Sequence, residues 1–412
     1  MRPSLRSPRG AIVVGVAITL ASVTGCSSSS KSNSAGNGSS GATGGGSGQG
    51  TINVALVNDI TGGEKSTLGP AEAGMKAAVA EINATRGVNG RKMKIVGDFD
   101  SQSSTQGGQS ATQQAIGTKP NAVLFGSSGV VLQAGLPALR QNNIFTLSDN
   151  APGSAVVPPT QYPFLYGDSF TGDQGAAALW NEVAALDNGQ AAKVAIIGLS
   201  DPAVDSVIDG LKKHAAAYNS SIVDVERTSL TQTSFTSQAT NIASKGVDYI
   251  IILDSTPNTV LSTTALKTAG FKGKYVGTYG AADDTTLKKI NNPDYVAYRP
   301  SHTEPDSEFV KAAIKYGASS TDTASPFFAP GYALVYAVKT AYEKCGSDCS
   351  IAGIQKVLES TSVEVPHDAV FGPLKFTAQS HGGLTSVQYY KYDPSSQSVV
   401  TTGSPIDLTD LK

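Results

Sequence analysis

Two adjacent serines, Ser127 and Ser128, interrupt the apolar run "VLFGSSGVV" between Val123 and Val131. Hydroxyls flanked by glycines after an apolar stretch suit three kinds of chemistry: nucleophilic attack, phosphate cradling, or hydrogen bonding to a ligand in a cleft. Nucleophilic attack needs a serine at a strained strand-to-helix turn in the pattern G-x-S-x-G. Gly126, Ser127, Ser128 and Gly129 miss that spacing by one residue, and Val130 stands where the last glycine belongs. The four histidines, His214, His302, His367 and His381, lie in no motif that marks a general base. The sequence holds no phosphate loop of the form G-x-x-x-x-G-K-[ST]. An exported serine hydrolase using Ser127 or Ser128 stays as a rival to the cleft reading.

In open α/β sheets, ligands sit outside the carboxyl ends of the strands, where hydroxyls and the free amides of helix amino ends point outward. Ser127 and Ser128 follow a strand-like run and open a helical one, which places them there. Either serine also fits as a helix cap, and a cap can touch ligand as well. The same logic selects Thr61 and Gly62, then Ser148, Asp149, Asn150 and Ala151, in the first half of the chain. In the second half it selects Ser200 and Asp201, Asp254 and Ser255, and Tyr279 and Asp283. Asp201, directly before Pro202, and Asp283 fit equally as caps. Asp59, Asp149, Asp201, Asp254 and Asp283 outnumber the single nearby Lys65, so a phosphorylated or dicarboxylate ligand lacks a counter-charge. The expected ligand is a small neutral or cationic molecule: an amino acid, an amide, urea or an amine. No pattern calls for a metal or a cofactor.

Such positions need strands ending behind them and helices starting after them. "INVALV" (Ile52 to Val57) has strand character, and Met75, Ala78, Val79 and Ile82 then mark one helical face. "GVNGRKMKIVGDFD", "NAVLFG" and "NIFTLS" supply further strands with helices between, which predicts a doubly wound parallel sheet. The pattern restarts after "YPFLYGDSF": "AKVAIIGL", "SIVDVER", "VDYIIIL" and "KYVGTY" predict a second α/β unit from about Gly167 to Tyr298. Helical segments "DSEFVKAAIKYG", "PGYALVYAVKTAYEK" and "IAGIQKVLES" then precede two expected strands, "GPLKF" and "SVQYYKY". These complete the two units, so the chain crosses between them more than once.

The stretch "INVALVNDITGGEKSTLGPAEAGMKAAVAEINATRGVNGRKMKIVGDFD" resembles the opening of the branched-chain amino-acid binding proteins, type I periplasmic binding proteins that feed an ABC importer. "VDYIIIL…ALKTAGFKGKYVG" and "FGPLKFTAQSHGG" are similar to later parts of that family. The resemblance implies two doubly wound Rossmann-like lobes joined by three hinge crossovers, near Gly167, Tyr298 and Pro373. Lobe 1 is then 51–166 plus 299–372, and lobe 2 is 167–298 plus 373–412. It also implies a monomeric solute-binding protein, not an enzyme, that captures a small ligand between its lobes. Permease and ATPase would be separate chains; a ligand-sensing receptor subunit of the same fold is the alternative. The chain departs from the family where relatives place Ser-x-Ala-x-Thr, since here "SDNAP" inserts Asp149 and Asn150 and ends in Pro152. A tyrosine-glycine pair of the family is replaced by "LSDPAVDS", and no glutamate follows "VGTYGAADD", although Asp283 or Asp284 can stand in as an ammonium partner.

Arg2, Arg6 and Arg9 precede the apolar run Ala11 to Val23, which reads as an export signal over residues 1–25. That run is shorter than the roughly 20 residues a bilayer span needs. "VTGC" resembles the lipobox of bacterial lipoproteins, implying that Cys26 is lipidated and holds the protein to the outer face of the cell membrane. Residues 26–50 are rich in glycine and serine and form a tether with a typical reach of about 27 Å. Cys345 and Cys349 remain, and in an exported chain the pair is expected to be a local disulfide. A net charge of -2 without a basic block in the mature chain gives no electrostatic reason for a nucleic-acid partner.

Overall fold

The computed structural model describes residues 50–409. The expected signal segment, Cys26 and the tether up to Gln49 lie outside the described residues, as do residues 410–412. The first half alternates strands and helices: β1 (Ile52–Asn58), α1 (Lys65–Ala84), β2 (Met93–Asp100), α2 (Thr105–Gly117), β3 (Ala122–Gly126), α3 (Gly129–Asn142), β4 (Phe145–Ser148), α4 (Gly153–Val156) and β5 (Leu165–Gly167). Its five strands form a wholly parallel sheet in the order β2-β1-β3-β4-β5. The second half repeats the alternation with α5 (Gly172–Asp187), β6 (Ala192–Leu199), α6 (Pro202–His214), β7 (Ser220–Thr228), α7 (Thr236–Ser244), β8 (Tyr249–Leu253), α8 (Thr256–Thr268), β9 (Lys274–Gly277), α9 (Asp284–Ile290) and β10 (Tyr295–Arg299). Four helices follow, α10 (Glu308–Lys315), α11 (Ser320–Thr323), α12 (Phe328–Lys344) and α13 (Ile351–Ser360), and then β11 (Ser386–Asp393) and β12 (Ser398–Asp407).

Parallel strands are covered on both faces, so they read as unbroken apolar runs. β3 ("AVLFG") and β8 ("YIIIL") are buried throughout. On α1 the buried stripe includes Leu68, Ala71, Met75, Ala78, Val79 and Ile82, and it packs against α12. Glycine permits this approach: a Cβ on Gly74 would strike the Phe328 carbonyl, and one on Gly331 would strike that of Ala71. α12 thus belongs with the first sheet although its sequence follows the second. One apolar core runs from Ile52 and Met75 through Trp180 and Val194 to Leu374, with two smaller clusters on the outer sides of the sheets.

The second sheet has seven strands in the order β12-β11-β10-β9-β8-β6-β7. It is parallel from β7 to β10, whereas β11 and β12 run antiparallel. Two expectations change here. "GPLKF" is not a strand and makes only an isolated bridge between Val363 and Leu374, while β12, a half-exposed edge strand containing Pro405, was not foreseen. The third crossing also falls later than Pro373. Lys375 N–H still bonds to Gly383, and Gly383 N–H bonds to the Gly167 carbonyl at 2.7 Å, so the chain stays beside the first sheet until just before β11. Cys345 and Cys349 are joined by a disulfide at the end of α12, with Cα atoms 5.0 Å apart.

In each sheet one strand is flanked by the two strands that follow it in the chain: β1 between β2 and β3, and β6 between β7 and β8. Chain connections diverge at such points and leave a crevice outside the carboxyl ends. The loops after β1 and β3 face those after β6 and β8.

Candidate functional site

A cavity of about 110 Å³ lies where these loops meet. The first lobe contributes Glu64, Thr67 and Leu68 around the start of α1, Ser128 before α3, and Asn150 and Ala151 after β4. The second contributes Asp201, Asp254, Ser255 and Tyr279 from loops after β6, β8 and β9, and Tyr298 from β10. Phe170, just past β5, and Phe327, before α12, complete the wall. Two hydrogen bonds join the lobes across this crevice: Val130 N–H donates to Asp201 at 3.2 Å, and Thr256 N–H to the Thr67 hydroxyl at 3.4 Å.

Local sequence explains the placement. Asp201 precedes Pro202, which has no N–H to lose at the first helical turn, and its carboxylate accepts from Ala203 N–H at 2.8 Å. Asp254 directly follows β8 and is held by the Thr228 hydroxyl (2.6 Å), the Asn258 amide (2.9 Å) and Ser255 N–H (2.8 Å). Asp59 directly follows β1 and accepts from the Ser101 hydroxyl and from Ser128 N–H at 3.3 Å.

The electrostatics are one-sided. Burial, against hydrogen bonds from Ser101, Ser128 and Ser103, pushes the Asp59 carboxyl up to about 6. Burial, with the neighbouring charges of Asp59, Asp201 and Asp254, pushes Glu64 to about 8. Burial likewise raises Asp201 and Asp254. Asp149 and Asp168 are fully buried, and desolvation raises both well above the carboxylate range against weak backbone contacts. Among the described residues, no lysine, arginine or histidine lines the cavity.

The aromatic wall is a connected set. Phe170 meets Tyr279 edge-on with ring centres 6.2 Å apart and Tyr298 at 5.7 Å; Tyr279 lies 4.8 Å from Phe327. All four rings border the cavity.

Of the residues selected from the sequence, Ser128, Asn150, Ala151, Asp201, Asp254, Ser255 and Tyr279 meet at this cavity. The others do not line it. Thr61 is exposed and bonds to Asp100; Gly62 borders a more open outer recess; Ser200 is exposed. Ser127, Ser148 and Asp149 point into the first lobe and are fully buried. Asp149 N–H continues the strand pairing by bonding to the Phe125 carbonyl at 3.1 Å, which turns its side chain inward. Asp283 caps α9 through Thr286 N–H at 2.9 Å. Sequence reasoning missed Glu64, Phe170, Tyr298 and Phe327. Glu64 sits at the cap of α1, where an acid ordinarily serves the helix dipole in solvent. The four histidines pair elsewhere, with Asp173, Glu304, Glu81 and Glu359. Among the described residues, none of these imidazoles pairs with Ser127 or Ser128.

The family model for periplasmic binding proteins matches residues 51–397. The chain belongs to the periplasmic binding protein family. Solved structures similar to this periplasmic binding protein include an ABC-transporter solute-binding protein from R. palustris in complex with 4-hydroxybenzoate. That structure is 19% identical over 87% of this chain and 97% of its own, with a TM-score of 0.73. The leucine-binding protein LivK of Thermotoga maritima is 18% identical over 88% of this chain and 100% of its own, with a TM-score of 0.71. A fatty acid ABC transporter substrate-binding protein from Thermomonospora curvata is 15% identical over 87% and 94%, with a TM-score of 0.70. At these identities the likeness is one of fold, the two-lobed type I periplasmic binding fold. No curated protein matches this periplasmic binding protein by sequence.

Proposed function

We propose that this periplasmic binding protein is a lipid-anchored, extracytoplasmic solute-binding protein that captures a small polar ligand between its lobes and delivers it to an ABC importer. The ligand class is an amino acid, amide or amine. Permease and ATPase are separate chains, and the protein acts as a monomer tethered through Cys26. The observation that carries this reading is the cavity itself, whose polar groups come from both lobes, with Ser128 and Glu64 on one side and Asp201 and Asp254 on the other. A ligand touching both sides gains contacts only when the lobes are together, so it shifts the population toward the closed state. In this reading the lobes open about the three crossings, after β5, after β10 and before β11.

Two measurements test the reading. A thermal-shift screen over amino acids, amides, polyamines and small aromatics should find a solute that raises the melting temperature with log concentration above its Kd. Small-angle scattering with that solute should show a contraction. A panel without any stabilising solute, or a stabilising solute without contraction, would overturn it. Cys26→Ala should move the protein out of the membrane fraction with ligand affinity intact, and unchanged partitioning would sink the anchor.

A further inference from the structure

We infer that the cavity takes a primary organic ammonium ion with an apolar, aromatic body and no carboxylate. This rests on the solute-binding reading above and narrows its ligand. Helix amino ends in a crevice are the ordinary seats for a ligand's carboxylate, because their N–H groups have no partner inside the helix. Here the protein's own acids occupy those seats. Asp59 accepts from Ser128 N–H at the start of α3, and Asp201 from Val130 N–H of α3 and Ala203 N–H of α6. Asp254 accepts from Ser255 N–H before α8. A carboxylate entering the cavity would meet acids where it needs donors, with no lysine, arginine or histidine in the wall among the described residues.

What the site holds in excess is acceptor capacity. Ser128 lines the cavity and is only 3% exposed, and its hydroxyl has no hydrogen-bond partner. Glu64, also 3% exposed, lines the same wall. Buried acceptors without donors are costly, and a primary ammonium brings three N–H donors together with the opposite charge. A quaternary ammonium brings the charge but no donor. The remaining wall, Phe170, Tyr279, Tyr298 and Phe327, suits an aromatic body at edge-to-face distances, and ring faces also favour a nearby cation.

Binding such a cation should move a proton. Glu64 faces Asp59 after β1, Asp201 before α6 and Asp254 before α8, with Thr67 on its own helix; Arg227 of β7, ion-paired to Asp205, acts on Asp254 and draws its carboxyl back down. In the empty cleft Glu64 holds its proton up to about pH 8. An arriving R–NH3+ favours the carboxylate, so Glu64–COOH loses H+ to solvent and the ion pair forms. Affinity should therefore rise as pH climbs from 6 to 8 and level off above that.

Isothermal titration of the mature chain with three matched probes tests this: phenethylamine, phenylalanine (the same amine plus a carboxylate) and hydrocinnamate (a carboxylate in place of the amine). Phenethylamine should bind, with proton release at pH 7 seen by comparing buffers of different ionisation heat. Phenylalanine and hydrocinnamate should each bind at least tenfold more weakly, as should choline. Glu64→Gln should weaken phenethylamine at least tenfold and abolish the proton release. If that variant does not fold, the pH dependence of the wild type carries the same test. Phenylalanine or hydrocinnamate binding as tightly as phenethylamine, or phenethylamine not binding, overturns the proposal. In that event a different solute that stabilises and contracts the protein leaves the solute-binding reading standing, whereas failure of the whole panel removes both.

Discussion

Gly129→Ala should unlatch the lobes without harming either of them. Gly129 opens α3 in the first lobe, and a Cβ there would lie 2.6 Å from Oδ1 of Asp201 and 3.2 Å from Ala203 N in the second. Asp201 cannot simply swing aside, because one oxygen holds Ala203 N–H at 2.8 Å and the other holds Val130 N–H at 3.2 Å. The added methyl therefore breaks the bond that crosses the crevice. A hydrogen bond to a charged group contributes roughly 1.5–3 kcal/mol. At about 1.4 kcal/mol per tenfold, the closed population and the apparent affinity should fall roughly 10- to 150-fold. The helix itself gains, since alanine is favoured over glycine by up to about 1 kcal/mol. Titration with whichever panel solute contracts the wild type, together with a thermal melt without ligand, separates the two effects. Affinity should drop while the melting temperature holds or rises slightly. A Gly129→Ala protein that binds and contracts like the wild type would refute the latch.

The ligand-free protein should lose stability as pH rises from about 4 to 8. Asp59, Glu64 and Glu182 are held near 6, 8 and 7 by burial, so the folded chain binds more protons than the unfolded one across that window; a melting temperature that rises from pH 5 to pH 8 would contradict this. Asp254→Ala should both weaken binding and destabilise the second lobe by roughly 1–3 kcal/mol, because it strands the Thr228, Ser255 and Asn258 donors. Ser128→Ala should reduce affinity by roughly 0.5–1.5 kcal/mol with an unchanged melt, since its hydroxyl bonds to nothing within the protein. Replacing Cys345 and Cys349 by serine should cost at most about 3 kcal/mol, as the closed loop is short, and leave affinity untouched; two free thiols by mass spectrometry in the exported protein would show that no bridge forms.

The strands were legible because parallel sheets demand apolar runs on both faces, and "AVLFG" and "YIIIL" have no other use. β12 was not, because "SVVTTGSPID" is a half-exposed edge whose pattern matches a polar loop. Candidate residues chosen for following a strand reached the cavity when a helix began at once, as at Ser128, Asp201 and Ser255. Where pairing ran one residue further, as at Asp149, the side chain turned into the lobe. Phe170, Tyr298 and Phe327 carried no signal, because an aromatic residue that walls a cavity and one that fills a core are the same letter. Their role depends on two lobes meeting, which no local pattern encodes.

The packing of α1 on α12 also sets an order of events during synthesis. α1 ends at Ala84 and α12 begins at Phe328, so roughly 240 residues must emerge between the two. At 5–20 residues per second this takes about 12 to 50 s. Throughout that interval the stripe of Leu68, Met75, Val79 and Ile82 has no helix to cover it, while the whole of β6 to β10 can pair and dock. The first lobe is thus begun first yet stays incomplete until after β10 has emerged. A nascent chain halted near Tyr298 would present a sheet with one bare helical flank, a surface suited to chaperones or to aggregation. A gene fragment ending at Gly167 would carry the same exposed flank permanently.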